Sequence, residues 1–196
     1  MQRVLLIILN IFLISACTMP ETKIYSIHIP NPPVPPFSKG GESDASIVIR
    51  VHSQRYLTQS YIAYRNSPYQ LEISRYSKWE SPPCDMVKDA FKDSFSSSGL
   101  FKEVRVSNTA PEGFYLLEIN LKRFERSDEG VDSFGELVFD VSLLSPDGRE
   151  LYRNTISKKI NLDDKSFLSL ARGLSDAIAE GIKEVEDSTI KSIYAP

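Results

Sequence analysis

The sequence predicts an α+β domain in which antiparallel hairpins build a sheet and two amphipathic helices pack on it. Three observations carry that expectation. Several segments between Ile47 and Ile160 place apolar residues at every second position, two other stretches repeat them at intervals of three and four, and Gly, Pro and Asn clusters separate the segments. A sheet with one apolar face and helices with one apolar stripe stabilise each other by layering.

Residues 1–16 read as an export signal: a basic tip at Arg3, an apolar run from Val4 to Ile14 broken only by Asn10, then the small residues Ser15 and Ala16. The apolar run is well short of the roughly 20 residues that a spanning helix needs. Leu13-Ile14-Ser15-Ala16-Cys17 is a lipobox, so Cys17 is the expected lipidation site and the new N-terminus after cleavage. Stable anchoring needs more than one acyl chain, which a multiply acylated cysteine supplies. Residues 17–22 are then a lipidated N-terminus and tether, and residues 18–22 span at most about 17 Å at roughly 3.3 to 3.6 Å each. The folded body is therefore expected close to its membrane.

A domain is expected over residues 23–187, beginning with the extended segment Lys23–His28 and a Pro/Gly-rich loop at 30–45. Ile47, Ile49 and Val51 alternate onto one face of a strand. Tyr61–Arg65 and Tyr69–Ile73 flank Asn66-Ser67-Pro68 and predict a hairpin. Ser81-Pro82 signals a helix start with Ser81 as N-cap, and the spacing of Val87, Phe91 and Phe95 carries the helix to about Ser98, where Gly99 ends it. Phe101–Val106 is extended. After Pro111-Glu112-Gly113, Tyr115, Leu117, Ile119 and Leu121 share a face of a strand over Phe114–Phe124, followed by a polar loop at Ser127–Gly130. Leu137, Phe139, Val141 and Leu143 alternate likewise, and Pro146-Asp147-Gly148 turns that strand into Glu150–Ile160. Phe167, Leu170, Leu174, Ile178, Ile182 and Val185 predict a closing helix of about five turns behind Asp163-Asp164, leaving residues 188–196 as a C-terminal tail.

The formal charge is −3, and about −4 without the signal peptide, with Lys and Arg scattered among acids. A nucleic-acid partner is not expected from such a surface. Cys84 is the only cysteine besides Cys17, which excludes a disulfide framework within the chain. His28 and His52 have no Cys, Glu or second His at metal-ligand spacing, and no phosphate-binding glycine loop occurs. Neither a metal nor a cofactor is expected beyond the lipid on Cys17. No nucleophile, base and orienting group stand out together, so the chain does not read as an enzyme.

Read together, Ile47-Val48-Ile49-Arg50-Val51, Tyr56-Leu57, Tyr61-Ile62-Ala63-Tyr64-Arg65, Tyr69-Gln70-Leu71-Glu72 and Trp79-Glu80-Ser81-Pro82-Pro83 resemble the ABC-type transport auxiliary lipoprotein family, the PqiC-like lipoproteins, with Tyr25-Ser26-Ile27 fitting its first strand. Thr58-Gln59 stands where the family often has Asp-Arg, and Pro83 where it usually has an aliphatic residue. The resemblance implies a mixed or mainly antiparallel sheet with both helices on one face, similar to the N-terminal domain of TolB. It also implies a lipid-anchored periplasmic accessory that docks onto ABC or MCE-type machinery moving phospholipids or other hydrophobic molecules between the two membranes. Thr18 in place of Asp after the cysteine suggests the outer membrane.

Expected partners are thus MCE-domain or ABC transporter components and the membrane itself, with homo-oligomerisation left open. Tyr56, Tyr61, Tyr64, Tyr69, Tyr76 and Trp79 are dense within about 24 residues, and aromatics enrich interface centres as well as strand packing. Tyr56, Leu57, Arg65 and Trp79 are the expected partner contacts. Activation of a peptidoglycan synthase is the alternative docking role, and surface hydrolysis a third reading.

Overall fold

The structure is a computed structural model that describes residues 20–29 and 44–194. Cys17, the signal peptide, most of the 30–45 loop and residues 195–196 lie outside the described residues. In chain order the elements are β1 (Lys23–Tyr25), β2 (Ser46–Ser53), a 3-10 turn (Arg55–Thr58), β3 (Tyr61–Ser67), β4 (Gln70–Trp79), α1 (Pro83–Ser97), β5 (Glu103–Val106), β6 (Phe114–Glu129), β7 (Asp132–Leu144), β8 (Glu150–Asn161) and α2 (Phe167–Tyr194).

Among the described residues eight strands form one mixed sheet, and β6 is its spine. The first half of β6 pairs in parallel with β2, from Ser46↔Phe114 to Ser53↔Leu121, and its second half pairs in parallel with β3 at Tyr64↔Arg126. The other edge of β6 pairs antiparallel with β7 along nearly its whole length, and β8 lies outside β7. β5 extends the sheet beyond β2, while β4 and then β1 extend it beyond β3. In the β6–β7 ladder Leu121 faces Phe139 and Arg123 faces Val138, so Lys122 is an extra residue, a bulge. The bulge lies where the partner of β6 changes from β2 to β3.

Both helices cover one face. Ile47, Ile49, Leu117, Ile119, Leu121, Phe139, Val141 and Ile156 are buried on the sheet beneath Val87, Phe91 and Phe95 of α1 and Leu170, Leu174 and Ile178 of α2. Phe91 meets Phe139 edge to face, with ring centroids 5.6 Å apart at 89°. At Gly181 a β-carbon would stand 3.2 Å from the Phe139 ring, so glycine there lets α2 lie close to β7. After β1, Ile27 and Ile29 pack against the core, and the His28 amide donates to Ser175 Oγ of α2 at 3.0 Å.

Several elements differ in extent from the sequence expectation. α1 begins one residue later, with Pro82 as its cap and the buried Pro83 at its first position, so Ser81 does not cap it. β6 continues past Phe124 to Glu129, and the expected polar loop narrows to Gly130-Val131, where Gly130 takes φ 67°. Its charges are accommodated locally: Arg126 lies 5.0 Å from the Tyr64 ring centre and 5.2 Å from that of Phe167, and Asp128 accepts from Ser133 Oγ at 2.6 Å. α2 is capped by Ser166, whose Oγ accepts the Ser169 amide at 3.1 Å, and it runs to Tyr194, so most of the expected tail is helical.

Between the helices Ser94 Oγ donates to Glu186 Oε1 at 2.7 Å, and burial raises the Glu186 pKa above the ordinary glutamate value. A raised acid pKa means that the folded chain holds this proton more tightly than the unfolded one. The associated stability is greatest below the unfolded value and is lost as pH rises through the folded value. Glu186→Gln is therefore expected to raise the melting temperature near neutral pH and to leave it unchanged at a pH below the unfolded value, as thermal unfolding at the two pH values would show.

Candidate functional site

Of the four expected contact residues, two are core. Leu57, on the 3-10 turn, is 1% exposed, and Trp79, at the end of β4, is 2% exposed with its ring 5.4 Å from Phe124. Neither presents a surface to a partner in this conformation. A Tyr-Leu step in a one-turn helix sends its two side chains in different directions, and Leu57 takes the inward one.

Tyr56 and Arg65 instead converge on Glu125, whose side chain is fully buried. Arg65 Nε donates to Glu125 Oε1 at 2.6 Å, and Tyr56 Oη donates to Oε2 at 2.9 Å. Tyr56 Oη also reaches the Lys122 carbonyl of the bulge at 3.2 Å. Burial, then the Glu125 carboxylate, pushes the Tyr56 pKa up, and the hydrogen bond to Glu125 raises that of Arg65. Both side chains thus keep their protons at neutral pH. The cluster is a clamp on the buried Glu125 carboxyl group. Arg65 Nε and Tyr56 Oη both aim at that carboxyl from β3 and the 3-10 turn, an arrangement that suits holding these elements onto β6 better than acid–base chemistry.

The helix-free face of the sheet carries rows of charged side chains. Arg50 pairs with Glu118 at 2.7 Å, Lys122 with Asp140 at 2.7 Å, and Arg123 with Glu136 at 2.6 Å. Thr155 Oγ1 also donates to Asp140 at 2.7 Å, and hydrogen bonds from Lys122 and Thr155 hold the Asp140 carboxyl below the usual carboxylate range. A groove of about 590 Å³ opens on this face, lined by His52, Glu118, Asn120, Asp140, Arg153 and Thr155 among others. Its acids are engaged by Arg50, Lys122 and Thr155. Such a lining is suited to polar protein contacts, whereas an acyl chain would need an apolar wall. Among the described residues no group of three or more His, Cys, Asp or Glu side chains is placed to hold a metal, and no helix is long and apolar enough to cross a membrane. Cys84 sits in the first turn of α1, partly buried, with its Sγ 4.0 Å from the Val51 carbonyl.

The model of the ABC-type transport auxiliary lipoprotein component family matches residues 25–186. The chain belongs to that family. A crystal structure from Xanthomonas campestris, assigned to the family DUF330, superimposes with a TM-score of 0.74 over 87% of this chain and 96% of that one at 20% identity. A second, uncharacterized protein gives 0.67 over 87% and 99% at 13% identity, and a hypothetical protein of Chlamydia trachomatis gives 0.51 over 79% and 100% at 8% identity. At these identities the likeness establishes the fold, a mixed sheet with two helices. No curated protein matches the chain. As an auxiliary lipoprotein component, this family member is associated with the cell envelope and with ABC transport.

The central residue of the clamp, Glu125, is one that sequence reasoning missed. It follows Phe124 at the point where the alternation of β6 breaks, and its partners lie 60 and 69 positions away. The break in alternation is the signal that could have pointed to it. Arg65→Ala leaves a buried carboxylate without its cation, a change that typically costs about 3–5 kcal/mol. Adding Glu125→Gln is expected to recover much of that loss, because a neutral amide oxygen still accepts from Tyr56. Urea unfolding of the single and double variants checks this; a loss below about 1 kcal/mol for Arg65→Ala would mean that the pair behaves like a solvated one.

Proposed function

We propose that the protein is a lipid-anchored periplasmic accessory subunit of an ABC or MCE-type envelope transport system, which moves phospholipids or other hydrophobic molecules between the inner and outer membranes. It acts by docking rather than by catalysis or by carrying the transported molecule. The observation that carries this reading is the match of the auxiliary-lipoprotein family over residues 25–186. The charged, helix-free face supports the docking part: its groove offers hydrogen-bonding and ion-pairing groups to a protein, and its acids are held as ion pairs. The outer membrane is the proposed site of the anchor, from Thr18 after Cys17. Tyr56 and Arg65 would contribute to docking indirectly, by fixing the edge of this face through Glu125. Leu57 and Trp79 would contribute as core that supports it.

Crosslinking in the native envelope, with a photoreactive residue at Asn120 or Arg153, is expected to capture an MCE-domain or ABC transporter component. Capture of a peptidoglycan synthase alone would replace the proposal with the alternative docking role.

A further inference from the structure

Three separate turns bring exposed apolar side chains to one end of the sheet. β3 and β6 run in parallel and end there, β4 and β7 start there, and α2 begins there after β8. The β3–β4 turn carries Tyr69, 96% exposed; the β6–β7 turn carries Val131, 91% exposed; and the first turn of α2 carries Leu168, 52% exposed. Contacts tie the elements at this end together: Lys165 Nζ donates to the Gly130 carbonyl at 3.4 Å, Lys159 of β8 pairs with Glu129 at 2.6 Å, and Tyr64 of β3 lies 6.2 Å from the Phe167 ring at the start of α2. A tyrosine and a valine on loop tips and a leucine on the first turn of a helix are side chains that gain by leaving water.

The N-terminal segment points the same way. β1 pairs in parallel with β4, with Lys23 beside Ser77 and Ile24 beside Lys78, so the chain upstream of Lys23 heads toward the β3–β4 turn. Lys78 faces Tyr61, which is three residues before Tyr64 and therefore level with Arg123 on β6. From Arg123 to the Gly130-Val131 turn is about 25 Å at roughly 3.3 Å per residue, and from Arg123 back to Phe114 about 30 Å. The tether, residues 18–22, spans at most about 17 Å. Heading toward the Tyr69 and Val131 tips, it can bring Cys17 to within about 10 Å of their level, within reach of its acyl chains, whereas the opposite end lies about 30 Å the other way.

We infer that the end of the sheet bearing Tyr69, Val131 and Leu168 rests on the bilayer that holds the lipidated Cys17, with the apolar tips in the headgroup layer. This rests on the lipid-anchor reading of Cys17. Lys159, Lys165, Glu129, Asp132, Asp163 and Asp164 around the tips mix both signs, so the contact is apolar and insensitive to salt. The long axis of β6 then stands away from the membrane, and the Asp147-Gly148 turn at the far end points into the periplasm.

The test uses the mature, acylated full chain in vesicles of phosphatidylethanolamine and phosphatidylglycerol. Cys84→Ser removes the free thiol, and a fluorophore is placed through Tyr69→Cys, Val131→Cys or, at the far end, Asp147→Cys. Lipid-borne nitroxide at headgroup depth should quench the first two labels strongly at low and high salt alike, and the third hardly at all. Equal quenching of all three, or none at Tyr69 and Val131 in a sample whose mass shows an acylated Cys17, overturns the inference. So does self-quenching at Tyr69 without quenching by lipid, which would mean a second copy covers the tips. A mass showing unmodified Cys17 removes the premise instead, and is distinguished by that mass. Failure to capture a transport component leaves this readout unaffected, because quenching reports orientation alone.

Discussion

One extra residue, Lys122, reconciles the three neighbours of β6. Along one edge β6 must serve β2 and then β3, which arrive from a single stretch of chain interrupted by a 3-10 turn; along the other it must stay paired with β7. The bulge absorbs the mismatch. Below it Leu117, Ile119 and Leu121 face the helices, and above it Phe124 and Arg126 do, so the inward set moves from odd to even positions without loss of pairing to β7. The turn beside the step covers its backbone groups: the Gln54 amide donates to the Leu121 carbonyl, and Tyr56 Oη, whose one proton is shared with Glu125, lies 3.2 Å from the Lys122 carbonyl.

The shift in phase also places Glu125 on the face away from the helices, where Arg65 and Tyr56 close over it. A fully buried carboxylate is unfavourable unless paired and hydrogen-bonded, so this site tolerates one register of β3 against β6 and penalises its neighbours. Specificity of register, more than net stability, is what such a pair supplies. With β3 fixed, β4 and β1 are fixed beside it, and β1 is the strand that the proposed tether would lead into. The end bearing Tyr69 and Val131 and the charged face are thus both referred to the same short stretch of β6. The proposed division of labour follows: an apolar end for the bilayer and a polar face for protein.

Much of this architecture was legible in the sequence because it follows from local periodicity. Alternation in Leu137–Leu143, the breakers Asn66-Ser67-Pro68 and Pro146-Asp147-Gly148, and the three-and-four spacing of Phe91, Phe95, Leu170 and Leu174 each specify an element without reference to distant residues. The upper part of β6 was hidden because Glu125–Glu129 are all polar, and polar residues read as loop unless their partners, Arg65, Tyr64 and Ser133, are known. The second half of β4 was hidden for a similar reason: its pairing with β3 shifts register between Tyr61 and Ala63, so no alternation survives to be read. Leu57 and Trp79 belong to motifs that resemble the family, and their burial shows that a family motif can mark a core position as readily as a contact. The parallel pairings of β2 and β3 with β6 span more than 60 positions and leave no local trace.

Hydrogen exchange on a chain with Lys122 deleted measures whether this one residue lets β3 and β7 pair with β6 at the same time. Without that residue Leu121↔Phe139 and Arg123↔Val138 become consecutive pairs and the β6–β7 ladder is regular, whereas β6 loses the bend at which its partner changes from β2 to β3 and the Lys122 carbonyl that Tyr56 contacts. Amide protection should therefore fall across Tyr61–Ser67 and persist across Asp132–Leu144. Undiminished protection of β3, or equal loss in both strands, would contradict the account.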